Sequence, residues 1–209
     1  MFRALHGAHH HCDIELPLHG RHHVHNALAA IAVAAELGVR AEQIESAVLS
    51  FPGLRRRFER LGTFGGVTII DDYAHHPTAI TATLRAARSC FPDRRLVCVF
   101  EPHQFSRTEA LFDDFALSLS AADQVHLAPI FAARESVETA ATENLAERLA
   151  QAVECGETVT SAYSTLDRVM ATLDDSLEPG DVLLTMGAGH VDRIPHEFIG
   201  RFRQHSEAG

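Results

Sequence analysis

The stretch VTIIDDYAHHPTAITATLRAA, residues 67–87, decides the fold. Four β-branched residues, Val67, Thr68, Ile69 and Ile70, run into the polar Asp71, Asp72 and Tyr73, and from Pro77 the apolar spacing lengthens to that of a helix. The same unit recurs along the chain. LVCVF (96–100), QVHLA (124–128) and VLLTM (182–186) are short runs, apolar on both faces, with helical patterns between them at 77–89, 108–120, 142–153 and 164–176 and a last one near 190–204. Strands of that kind need cover on two sides, so the alternation predicts an α/β fold, a doubly wound and mostly parallel sheet beginning near residue 64. Ahead of it, the alanine-rich stretch 22–37 stops at Gly38, and AEQIESAVLS (41–50) repeats the helical spacing. The expected organisation is a mainly helical unit over residues 1–62 and a sheet domain over 63–209, with Arg55, Arg56 and Arg57 at the hinge.

Each predicted strand is followed by residues able to do chemistry. The first ends in Asp71, Asp72 and Tyr73, and the second in Glu101, Pro102 and His103. The third ends in Pro129 with Arg134 and Glu135 beyond it, and the fourth in Gly187, Ala188, Gly189 and His190. Ligands of open parallel sheets bind outside the carboxyl ends of the strands. All four clusters are therefore expected on one edge, which becomes the candidate site.

Composition narrows what that edge does. The 209 residues carry 28 acidic and 18 basic side chains, a net charge of -10, which disfavours nucleic acid as the main partner. All the basic residues are arginine, so no lysine-dependent step, and no phosphate-gripping loop of the G-x-x-x-x-G-K-[ST] kind, resides in this sequence. No run reaches the ~20 apolar residues of a membrane helix, and MFRALHGAHHHCD lacks the apolar core of a secretory signal; a cytoplasmic location without membrane contact is expected. Cys12, Cys90, Cys98 and Cys155 form no C-x-x-C pair and are expected as reduced, mostly buried thiols.

Each cluster also has a plainer reading. Asp71 and Asp72, with Tyr73, His75 and His76 crowding the same turn, suit ribose hydroxyls, a metal or base catalysis; the plainer alternative is the negative charge favoured before a helix. Arg107 offers a fork for a carboxylate or phosphate, unless Ser106 caps the helix and leaves Arg107 in water. Gly187–Gly189 is either part of a phosphate cradle or a tight turn. Eight of the 15 histidines fall within the first 25 residues, where they make a metal-binding tract or a solvated one.

Six ordered strings carry a resemblance: GRHHVHNALAA (20–30), GLRRRFE (53–59), IDDYAHHPT (70–78), FEPHQFSRT (100–108), LFDDF (111–115) and LTMGAG (184–189). Together they resemble the C-terminal half of the Mur ligases, nearest to the branch that adds L-alanine to UDP-N-acetylmuramate in peptidoglycan precursor synthesis. The resemblance implies the tail of the central ATPase domain followed by a complete Rossmann-like C-terminal domain, with the P-loop and the UDP-sugar domain absent from this sequence. A separate N-terminal half is then an implied partner. It implies ATP as cofactor, with Mg²⁺ held mainly by the missing domain, and an amide formed through an acyl phosphate. Carried over by position, His22 and Asn26 flank adenine, Arg57 approaches the phosphates, Asp72 takes the ribose hydroxyls and Tyr73 lies beside the nucleotide. His75, His103 and Arg107 face the amino acid and the acyl centre, and no residue is implied as a metal ligand here. The pattern departs at His23, Gln104, Ala79 and His190, where relatives often carry asparagine, arginine, glutamate and aspartate. HHPTAI also fits the related ligase that attaches a recycled tripeptide. A non-catalytic nucleotide-binding relative and a histidine-rich metal binder are the rivals from other classes.

Overall fold

A computed structural model describes residues 1–6, 9–135, 144–154 and 158–207, with side chains at 6–11 and 204–207 outside the description. The chain divides into two compact units, Met1–Leu54 and Arg55–Gly209. The expected boundary at 62/63 would cut a strand of the second unit.

The first unit opens with an antiparallel pair the sequence reading missed, β1 (Phe2–His6) and β2 (His9–Ile14). Two helices follow, α1 (Arg21–Glu36) and α2 (Ala41–Leu49), close to their expected limits. Gly38 ends α1 for a conformational reason. Its φ of 78° is left-handed, and it lets its own N–H reach Ala35 O at 2.9 Å while the Val39 N–H reaches Ala34 O at 3.0 Å. Ala4, Cys12, Ile14, Ile31 and Ile44 form a small core.

The second unit is a six-stranded sheet in the order β3-β4-β8-β5-β6-β7. Its strands are β3 (Glu59–Phe64), β4 (Val67–Asp72), β5 (Leu96–Glu101), β6 (Gln124–Leu127), β7 (Val159–Ala162) and β8 (Val182–Gly187). The four strands read from the sequence are β4, β5, β6 and β8, all parallel. β7 extends the parallel set, and β3 runs antiparallel to β4. The β3–β4 turn holds Gly65 and Gly66 at φ 57° and 81°, so only two residues join the strands.

Alternating side chains of the central strands feed two cores. Ile70, Cys98, Phe100, Leu184 and Met186 pack with helices α3 (Pro77–Cys90), α5 (Phe112–Leu119) and α6 (Leu145–Val153). Ile69, Val97, Val99 and Leu183 pack with α7 (Leu166–Ser176) and α8 (Arg193–Glu207). The predicted helix at 108–120 is instead broken at Leu111, giving the short α4 (Phe105–Ala110) before α5. Cys12 and Cys98 are buried free thiols, burial pushing the Cys98 thiol strongly up, while Cys90 is half-buried and Cys155 lies outside the described residues.

This topology creates the crevice. The chain leaves β4 and β5 for helices on one face, but leaves β8, which lies between them, for a helix on the other. Oppositely departing loops part above the carboxyl end of β8. The register puts Asp72 beside Met186 and Glu101 beside Gly187, so the strand tips converge as expected.

Candidate active site

Three carboxylates at this edge look inward and are held by the protein's own donors. Asp72, 4% exposed, accepts the Phe58 N–H at 3.0 Å, the Thr83 hydroxyl at 2.9 Å and the Ala74 N–H at 2.9 Å. Burial raises its pKa, and these hydrogen bonds and the Arg57 charge oppose the rise. Asp71 accepts Thr185 Oγ1 at 2.7 Å and Arg56 Nε at 3.1 Å. Burial raises its pKa too, against the pull of Thr185 and Arg56. Glu101 sits inside the turn after β8, accepting the Val191 N–H at 3.1 Å and a backbone bond from His190, and burial again pushes its carboxyl up. A side chain on Gly189 would collide with that carboxylate, so glycine there is a packing requirement. The Gly187–Gly189 segment thus wraps an internal carboxylate. The tight-turn reading accounts for the segment, and the two amides that follow it, of His190 and Val191, are spent on Glu101.

The triple arginine separates into distinct roles. Arg56 is structural: its guanidinium donates to Asp71 and, at 2.8 Å, to Gly187 O, while its N–H donates to Glu59 at 2.7 Å and its O accepts from Tyr73 N at 2.7 Å. Arg56 and Phe58 both have positive φ, 56° and 49°, a conformation non-glycine residues hold only when several contacts fix it. Arg57 is exposed and stacks its guanidinium 5.5 Å from the Tyr73 ring centre, forming no ion pair among the described residues. Arg55 is exposed as well.

His75, His103 and Arg107 are brought together. The His75 and His103 ring centres are 5.7 Å apart, and Arg107 Nη1 lies 3.5 Å from His103 Nδ1. The partners assign the tautomers. His75 Nδ1 is 2.9 Å from the Tyr73 carbonyl, which only accepts, so Nδ1 carries a proton and, in the neutral ring, Nε2 is the acceptor. Arg107 only donates, so His103 Nδ1 is the acceptor and its Nε2 carries the proton. Burial first, then Arg107 and His75, lower the His103 pKa and favour the neutral ring. The pair therefore offers one acceptor and one donor to a reacting group.

Arg107 is part-buried and forms no ion pair among the described residues; Arg94, part-buried and likewise without an ion pair there, spends its guanidinium on the Thr68 hydroxyl and the Gly180 and Asp181 carbonyls. At the opposite sheet edge Arg95 is bound to Asp181 at 2.6 Å, and Arg88 is bound to Asp123 at 2.8 Å on the same unit. Ser106 does not cap α4, as the plainer reading held: Gln104, with φ 70°, is the capping residue, and the Ser106 hydroxyl goes to Glu135.

His22 and Asn26 lie one turn apart on α1 in the first unit, His22 half-buried and Asn26 exposed. Sequence reasoning missed the roles of Arg56, Thr185 and Phe131. Phe131 packs against the His103 ring at 5.6 Å and edge-on to His190 at 5.0 Å. Nothing in the spacing marked these partners, since they join strands more than a hundred residues apart or loops without a pattern. Among the described residues no group of three His, Cys, Asp or Glu side chains is placed to hold a metal. The side chains of His6, His9, His10 and His11 are outside the description, and with them the metal-tract reading.

A mostly parallel sheet with a switch point, here with an imidazole–guanidinium cluster above it, defines a Rossmann-like domain. Residues 56–189 match the family described as Mur ligase, glutamate ligase domain, and the chain belongs to the Mur ligase family. A UDP-N-acetylmuramate–L-alanine ligase of Nitratidesulfovibrio vulgaris is 44% identical over 188 residues, 90% of this chain and 41% of the relative. The crystal structure of a UDP-N-acetylmuramate–alanine ligase from Thermotoga maritima aligns with TM-score 0.71 at 24% identity, covering 91% of this chain and 40% of that one. A murein peptide ligase from Psychrobacter arcticus aligns with TM-score 0.67 at 29% identity, covering 90% and 38%. The chain spans about two fifths of the length of the curated relatives it matches.

Proposed function

We propose that this chain is the C-terminal part of a cytoplasmic, ATP-dependent UDP-N-acetylmuramate:L-alanine ligase that serves peptidoglycan synthesis, and so cell shape and division. The observation that carries the reading is Arg107, a half-buried guanidinium without a carboxylate partner among the described residues, next to the paired imidazoles of His75 and His103. Arginine in that state suits the carboxylate of an incoming amino acid. Neutral His103 would donate from Nε2 to oxyanion charge at the acyl centre, and His75 Nε2 would accept a proton from the attacking amine.

ATP would supply the phosphoryl group that activates the sugar's carboxylate. Arg57 and Tyr73 suit its phosphates and nucleoside, and the oxygens of Asp72 keep little beyond one free lone-pair position for a ribose hydroxyl. His22 and Asn26 are proposed for adenine. Among the described residues no group of three His, Cys, Asp or Glu side chains is placed to hold Mg²⁺, and no step is assigned to it. In this reading the first unit is the tail of the central ATPase domain, and its partner is a separate or upstream N-terminal half. Among the described residues no helix is long and apolar enough to cross a membrane.

The test is reconstitution. The chain is mixed with the part of the N. vulgaris relative outside the match, ATP, Mg²⁺, UDP-N-acetylmuramate and L-alanine, and phosphate release is followed. Release is expected from the mixture, with a loss of two orders of magnitude or so in Arg107→Ala, and none from the chain alone. Robust release by the isolated chain contradicts the reading. Product formed only with a recycled tripeptide in place of L-alanine moves it to the murein-peptide branch.

A further inference from the structure

The segment after β6 reaches back over the candidate site. Phe131 donates its N–H to Pro102 O and accepts the Gln104 N–H, each at 2.8 Å, so residues 131 and 103 pair like neighbouring parallel strands. Four residues on, the Glu135 carboxylate accepts the Phe105 N–H at 2.6 Å, the Ser106 N–H at 3.3 Å and the Ser106 hydroxyl. The Glu135 N–H donates to Ala132 O at 3.0 Å, closing the strap on itself. Two non-glycine residues are held left-handed where strap and site meet, Gln104 at φ 70° and Ala133 at 56°. Such conformations persist where surrounding contacts over-determine them.

We propose that Glu135 is a positioning residue of the site: by binding the first two amides of α4 and the Ser106 hydroxyl, it fixes the segment Pro102–Arg107 and so sets where Arg107 and His103 stand. Arg107 follows Ser106 directly and lies one turn from His103, so a change in the tilt of α4 moves both. The Ser106 hydroxyl, with the two amides, also holds the Glu135 carboxyl below the usual carboxylate range, so it stays charged at neutral pH. The titratable and charged groups facing His103 are then Arg107 and His75, which lower its pKa, and Glu135, which raises it. The identity of the ligand rests on the function proposed above; the positioning role does not.

The experiment uses the whole chain, ¹⁵N- and ¹³C-labelled, as wild type, Glu135→Ala, Glu135→Gln and Ser106→Ala. NMR follows the His103 ring through a pH titration, the Phe105 and Ser106 amides, and the Arg107 Nε signal as L-alanine is added. Glu135→Ala is expected to move the Arg107 and His103 signals, lower the His103 midpoint and raise half-saturation by L-alanine on the order of tenfold. Glu135→Gln, which keeps an acceptor but no charge, should restore most of the L-alanine affinity while leaving the His103 midpoint low. Ser106→Ala should fall between. Unmoved Arg107 and His103 signals in Glu135→Ala, or in Glu135→Gln and Ser106→Ala if the alanine variant does not fold, overturn the proposal. If wild type shows no saturable response to L-alanine, the functional reading fails, and the His103 and Arg107 signals still decide the role of Glu135.

Discussion

The two units bury their apolar residues very differently. In the second, β4, β5 and β8 are buried along their whole length, and Phe100 and Phe115 have no exposed surface. In the first, the alanine-rich α1 buries only His23 and Ile31, while Val33 is 61% and Leu37 78% exposed. A helix apolar on several sides belongs inside a larger core. Single apolar side chains such as Leu117 and Val159 are exposed on the second unit too, but its central strands are enclosed, whereas the longest helix of the first unit is mostly in water.

This contrast is breakable by mutation. Phe100→Ala removes a ring packed at 5.5 Å against Phe115 and should cost about 3–5 kcal/mol in urea unfolding of the sheet unit; a loss below about 1 kcal/mol would mean the core is not the closed one described. A pH effect comes next. His126 is buried beside Tyr163 OH at 2.9 Å, its Nε2 has no hydrogen-bond partner among the described residues, and burial pushes its pKa down to about 4 from 6.5. The unfolded chain takes up a proton that the folded ring refuses, so this stability is full above about pH 6.5 and is lost as pH falls towards 4. The loss should reach about 3 kcal/mol, and His126→Phe should flatten that slope of unfolding free energy against pH. The smallest effect sharpens the contrast from the other side. Val33→Ser on exposed α1 should change stability by no more than about 0.5 kcal/mol while slowing aggregation in light scattering.

The sheet was legible in the sequence where a strand is buried on both faces, because burial leaves a continuous apolar run. Strands β4, β5, β6 and β8 carry that mark; β3 and β7 lie at the sheet edges, where half-polar sequences such as ERLGTF and VTSA carry none. Gly65-Gly66 between Phe64 and Val67 was a hairpin signal for β3 all the same. Of the site, the convergence of strand tips followed from parallel order alone. The direction in which each carboxylate points did not, since Asp71 and Asp72 face opposite sides of the sheet and Glu101 is enclosed by a turn 86 residues away. Spacing marks where a residue falls along the chain, and only packing decides whether it meets a ligand or the protein itself.

The central claim is that Arg107, His103 and His75 form one binding cluster at the carboxyl end of the sheet. A titration of the labelled chain with L-alanine, read at those three side chains, tests it most directly. The account predicts saturable shifts at all three with one common midpoint, absent in Arg107→Ala. Shifts that never saturate, or that survive Arg107→Ala unchanged, would contradict it.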